Sequence, residues 1–430
     1  MKNKRLIGLI LALLCPLFML GQNVIITGQV NKPNALVRLL TYDEMVTYEQ
    51  TKVAETQSDK EGRFILRTEI SEITPAQIAI NLDRVDIILK PNGKYDFEII
   101  IPEKGDGSYF EQQQPILKIN TINDGGFYSQ YIATQTLVDD FLYENFDNIY
   151  RGRKTSLLDT LDNRILRNIG TIENDYIKDF IKYRKASVMM TVNAKKTLTE
   201  YFDNQQVLYL QLAYMDVVAE LFNSSDRNND FLSRNPQLAE VVEMMNMRKA
   251  YYANPQNKSH ILTALESIEK SSKYQKNKLV AKNIAKQIDE LSFDSEAPAF
   301  SLNDKNGKTV NLIDYQNDMV LLQFVDSYSP LNEHEFATLN DLQKQWNDTI
   351  QVVTIATKES FDDYVQMFEK QGFRWQLLNL GDNILLLEDY HVRTFPAYII
   401  VKRKNRIGMA PAPSPDRFLD KQVRRISKYL

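Results

Sequence analysis

The segment Met319–Glu335, MVLLQFVDSYSPLNEHE, dictates how the last third of this chain can fold. Its apolar run Met319–Val325 reads as a strand, which passes through a turn into Pro330 and the start of a helix. Ser329 is expected to cap that helix, with Pro330 at the first helical position and Glu333 in the first turn.

With 430 residues, roughly two to four domains are expected. Hydrophobic residues at 43% and charged residues at 25% are ordinary globular values. The net charge of −4 becomes −7 if Lys2, Lys4 and Arg5 are removed, so there is no electrostatic case for nucleic-acid binding. Those three residues precede an apolar run, Leu6–Leu20, too short for a comfortable membrane span. Residues 1–21 are therefore expected to be a secretory signal peptide cleaved after Gly21, placing the protein in the periplasm or cell envelope with no span left after cleavage. Cys15, the only cysteine, lies inside the leader, so the cleaved chain would contain none. Disulfides, thiolate catalysis and cysteine–metal sites are excluded together for it.

Residues 22–118 read as a β-sandwich-like domain. Strands are expected at Val24–Val30, Ala35–Leu40, Arg63–Thr68, Gln77–Ile80, Val85–Leu89 and Tyr95–Ile101, with hairpin turns at Ser58–Gly62 and Pro91–Gly93. Residues 119–291 read as helical, with apolar residues recurring at three and four. Phe127 to Leu142, Leu157 to Ile169, Tyr176–Met190, Val207–Phe222 and the charged pair within Lys258–Leu291 mark the helices, and Gly170 is placed to end or bend the second. Tyrosines such as Tyr143, Tyr176, Tyr183, Tyr209 and Tyr214 are read as helix-edge residues with a buried ring and a wet hydroxyl, and a sugar- or peptide-binding surface is the competing reading. Asp226–Asp230 is similar to the opening of a calcium loop, but Phe231 stands where the glycine belongs and the closing glutamate is out of register. With three histidines at no ligand spacing, no metal or cofactor is expected.

Residues 292 to 430 open with Ala297-Pro298-Ala299-Phe300 and Gly307–Leu312 and carry Arg393–Val401, RTFPAYIIV, near their end. The first two resemble the opening hairpin, and the third the proline signature, of the exported thioredoxin-like proteins of the TlpA/ResA and AhpC/TSA type. The ITGQV, SDKEGRF and PNGKY segments resemble the small N-terminal β domain (DUF4369-like) that accompanies such proteins. The fold class is therefore expected to be multidomain α+β: β-sandwich, helical middle and C-terminal thioredoxin-like α/β domain.

In the family a W-C-x-x-C motif follows the strand, where this chain reads Tyr328-Ser329-Pro330-Leu331-Asn332. Ser329 and Asn332 occupy the two cysteine positions. A serine hydroxyl has no accessible anion there and asparagine cannot resolve a mixed disulfide, so redox exchange by this chain alone is excluded. Ser329 and His334 lie five apart on one helix, which does not set them face to face as nucleophile and base. The resemblance further implies a cis peptide before Pro396 and a groove of Tyr328, Pro330, Thr394, Phe395 and Pro396 able to pair with an extended polypeptide. Three readings stand: a redox-inactive protein binding or scaffolding an envelope polypeptide, a thiol-disulfide or peroxiredoxin-family member acting only with a cysteine-bearing partner, and a non-thiol role in the tyrosine-rich middle.

Overall fold

The structure, a computed structural model, describes residues 23–102, 114–203, 206–222, 229–253, 257–326, 330–346, 349–392 and 394–428. It divides into two compact units, residues 1–285 and 286–430. The expected signal peptide and its cleavage site lie outside the described residues, and among those described no helix is long and apolar enough to cross a membrane.

Among the described residues the first unit has eight strands: β1 (Val24–Val30), β2 (Leu36–Tyr42), β3 (Gln50–Gln57), β4 (Arg63–Thr68), β5 (Thr74–Ile80), β6 (Asp83–Leu89), β7 (Lys94–Ile100) and β8 (Ile116–Asn123). They form two four-stranded sheets in the orders β4-β1-β7-β8 and β3-β2-β5-β6. Alternate residues, Phe64 and Leu66, Tyr95, Phe97 and Ile99, or Ala76, Ile78 and Ile80, enter one hydrophobic cluster, as a period of two requires. The turns at Ser58–Gly62 and Pro91–Gly93 exist, but each joins strands of different sheets, so neither is the hairpin expected. Turn chemistry encodes a chain reversal; hydrogen-bond partners are chosen by the faces being buried. β3 and β8 were absent from the expectation because both are edge strands without a buried residue, which weakens the apolar alternation.

Among the described residues nine α-helices follow: α1 (Phe127–Glu144), α2 (Leu157–Asn168), α3 (Asp175–Val192), α4 (Ala194–Thr197), α5 (Leu212–Leu221), α6 (Asn229–Arg234), α7 (Pro236–Ala253), α8 (Lys258–Ser271) and α9 (Gln275–Asp289). Gly170, at φ +91, ends α2 rather than bending it. α1 and α3 contribute Phe127, Tyr128 and Ile177 to the cluster that fills the β layers, so sheets and first helices share a core. The tyrosines depart from the edge pattern. Tyr183 and Tyr214 are each 1% exposed and meet edge to face at 4.8 Å, and the Tyr183 and Tyr176 hydroxyls donate to the backbone carbonyls of Tyr201 and Leu210. Most of the suggested calcium loop, residues 226–228, lies outside the described residues, and its last two residues open α6.

The second unit contains β9 (Ser301–Asp304), β10 (Thr309–Asn311), β11 (Val320–Val325), α10 (Pro330–Trp346), β12 (Gln351–Ala356), α11 (Phe361–Gln371), β13 (Gln376–Asn379), α12 (Leu385–Asp389), β14 (Ala397–Lys402), β15 (Arg406–Ala412) and α13 (Leu419–Ser427). Its seven-stranded sheet has the order β10-β9-β13-β12-β11-β14-β15, with β11, β12 and β13 parallel and β14 antiparallel to β11. Every residue of β11 is buried because the sheet is covered on both faces. Leu321 and Val325 join one cluster with Phe336, Tyr364, Phe368 and Trp375, while Val320, Leu322 and Phe324 join another with Leu386, Leu387 and Tyr390. The chain is thus a mixed α and β protein: two N-terminal sheets, a helical middle and a thioredoxin-like C-terminal sheet.

Candidate functional site

β11 delivers the chain to the start of α10, and the segment before β14 approaches from the neighbouring strand position. Tyr328 and Ser329 lie outside the described residues; Pro330 opens α10 and Asn332 lies in its first turn. The Phe395–Pro396 peptide is cis. Thr394 and Pro396 line a cavity of about 330 Å³, together with Glu335, Ala397, Tyr398 and residues of the 411–417 segment. Phe395 instead is half-buried against the cluster that holds Phe324 and Tyr390. Among the described residues, the backbone groups of Thr394 and Phe395 have no backbone hydrogen-bond partner.

A chain of hydrogen bonds runs through the sheet to this cavity. The Trp375 indole N–H donates to Thr354 Oγ1 at 2.9 Å, the Thr354 hydroxyl to Gln323 Oε1 at 2.8 Å, and Gln323 Nε2 to the Tyr398 hydroxyl at 3.3 Å. That hydroxyl donates to Glu335 Oε2 at 3.0 Å. Gln323 and Thr354 are wholly buried and Tyr398 is 2% exposed, so each polar group needs its partner. All four donors point the same way, and their dipoles sum toward the carboxylate. Glu335, on α10, is half-buried. Desolvation pushes its carboxyl above the ordinary glutamate value and Asp416 adds to this, while the Tyr398 hydrogen bond, Arg417 and His334 oppose it. Burial and the neighbouring Glu335 charge hold the Tyr398 phenol well above its usual range, keeping it a donor. Asp416 is exposed and held low, chiefly by the hydrogen bond it accepts from Ser414 at 2.6 Å.

Gln323, Thr354, Tyr398 and Glu335 carry no motif and escaped the sequence reading as site residues. One signal was present: Gln323 is the only polar residue in the apolar run of β11, and a buried amide must find a partner. Of the histidines, His334 and His260 are exposed on α10 and α8, and His391 pairs with Glu290 at 3.4 Å. Among the described residues no three or more His, Cys, Asp or Glu side chains are grouped to hold a metal.

The strand order, the helix entering from β11 and the cis proline facing it define a thioredoxin-like α/β domain. Residues 293–410 match the model of the AhpC/TSA family. No curated protein matches the chain. Among solved structures it is similar to the thioredoxin domain of a thiol-disulfide oxidoreductase from Bacteroides vulgatus, at 23% identity over 32% of this chain and 98% of that one, with a TM-score of 0.29. A thiol:disulfide interchange protein from Bacteroides sp. matches at 22% identity over 32% and 92%, TM-score 0.29. A secreted disulfide oxidoreductase from Mycobacterium tuberculosis matches at 19% identity over 29% and 95%, TM-score 0.25.

Proposed function

We propose that this is a redox-inactive thioredoxin-like envelope protein that binds or scaffolds an extended polypeptide along Thr394–Pro396. The observation that carries the reading is the cavity beside the cis proline, with backbone groups of Thr394 and Phe395 that have no backbone partner among the described residues and could serve strand addition, in a chain with no cysteine after Cys15. The carboxylate and phenol at the cavity have no route to disulfide exchange, which requires a thiolate. Residues 1–21 act as the export leader in this reading, with a β-sandwich-like part at 22–118, a helical part at 119–291 and the binding domain at 292–430. A second reading rests on the family match at residues 293–410: the chain serves a thiol-disulfide or peroxide-handling system through a cysteine-bearing partner.

Two measurements test this. Insulin reduction and peroxide consumption by the full chain should show no turnover at catalytic concentrations; turnover would overturn redox inactivity. Binding of capped extended peptides, followed by fluorescence anisotropy, should weaken about tenfold in Thr394→Tyr, where an exposed threonine becomes a ring filling the cavity. Unchanged binding would place the polypeptide elsewhere.

A further inference from the structure

The cavity beside Pro396 holds a half-buried carboxylate that, among the described residues, forms no ion pair. Glu335 receives the Tyr398 hydroxyl, itself fed by the buried chain from Trp375, and among the described residues no Lys or Arg lies within ion-pairing distance of it. Arg417 lines the same cavity but is exposed and makes no ion pair with it. Asp416 adds a second negative charge at the rim. Among the described residues this half-buried carboxylate accepts one hydrogen bond, from Tyr398, and a cation entering the cavity would add a charge-assisted one. The geometry of the cavity favours a side chain over a free ion, because the walls beside the charge are Pro396, Ala397, Pro411 and Ala412, which suit the methylene stem of a long basic residue.

We propose that the cavity is a specificity pocket for a lysine or arginine side chain of an extended polypeptide lying along Thr394–Pro396, with Glu335 as its acceptor. This rests on the polypeptide-binding reading above. Tyr398 acts as a positioning residue that keeps the carboxylate turned into the cavity, and Arg417 as an intramolecular competitor at the rim.

The test uses the full chain and capped peptides identical except at one position: lysine, its neutral isostere norleucine, or glutamate. The lysine peptide should bind about tenfold or more tighter than the norleucine peptide, as expected for one charge-assisted hydrogen bond, and the glutamate peptide weakest. Glu335→Gln keeps the size and the acceptor for Tyr398; it should erase the lysine preference, bringing the lysine and norleucine peptides to equal affinity. Arg417→Ala, at an exposed position, should tighten lysine binding a few fold. Equal binding of lysine and norleucine peptides, or a lysine preference surviving in Glu335→Gln, overturns the pocket while leaving the polypeptide reading in place. If no peptide binds, both fall. Binding of n-butylamine as tightly as of the lysine peptide would also overturn it, by assigning the cavity to a small amine.

Discussion

The Tyr398 hydroxyl donates to Glu335 Oε2 at 3.0 Å and so joins a buried strand residue of β14 to the carboxylate at the mouth of the cavity. Behind it the donors of Gln323, Thr354 and Trp375 are aligned, so one side chain at the surface is oriented by a path of four others, three of them on strands of the sheet.

That carboxylate links the stability of the domain to pH. Its folded pKa is raised above the ordinary value of 4.5, so the native state holds the proton more tightly than the unfolded chain. Its contribution is therefore fully present below about pH 4.5 and is lost as pH rises through the raised value. Urea unfolding should show wild type losing stability relative to Glu335→Gln across that window. Both tryptophans, Trp346 and Trp375, lie in the second unit, so their fluorescence reports this transition directly. Parallel curves, or the opposite slope, would refute the assignment.

Gln323→Leu keeps the volume of the strand residue and removes both of its hydrogen bonds. The Tyr398 hydroxyl and the Thr354 hydroxyl lose a buried partner, so the second unit should lose about 1–3 kcal/mol in the same fluorescence assay. A neutral or stabilising result would mean the network re-forms without its centre.

In the first unit, Glu44 is wholly buried and accepts from the backbone N–H groups of Val46 at 2.6 Å and Thr47 at 2.9 Å, from the Thr47 hydroxyl and from Asn283 Nδ2 at 3.0 Å. It ties the segment after β2 to α9. Glu44→Ala strands those donors in a buried site and should cost about 3 kcal/mol, with Glu44→Gln costing less because one acceptor oxygen remains. Far-UV circular dichroism in denaturant reads the difference, and equal losses in the two variants would argue against the hydrogen-bond account.

Gly62 sits at φ +80, where a Cβ would run into the carbonyl oxygen of Val30, whose own N–H is held by the Gly62 carbonyl at 2.9 Å. Gly62→Ala should destabilise the first unit by about 1–2 kcal/mol or more. Hydrogen exchange at Val30 should quicken with it; protection left unchanged would show that the turn accommodates the methyl group.

The strand Arg63–Thr68 and the helices Asp175–Val192 and Pro330–Trp346 were legible because local patterns suffice for them: a period of two, recurrence at three and four, and a proline at a helix start. The same sequence determined that no thiol exists beyond Cys15. It did not disclose that the turns at Ser58–Gly62 and Pro91–Gly93 cross between sheets, that β3 and β8 are strands, or that Tyr183 and Tyr214 lie in a core. Edge strands and sheet partners depend on which faces are buried across long separations. The candidate site shows the division most clearly. The sequence marked Thr394 and Pro396 by their resemblance to a family signature, whereas Gln323, Glu335, Thr354, Trp375 and Tyr398, spread over 75 positions, became one hydrogen-bonded path only when the sheet set β11, β12 and β14 side by side. Local chemistry can be read along a chain, but the partner of a buried polar group is decided by tertiary packing.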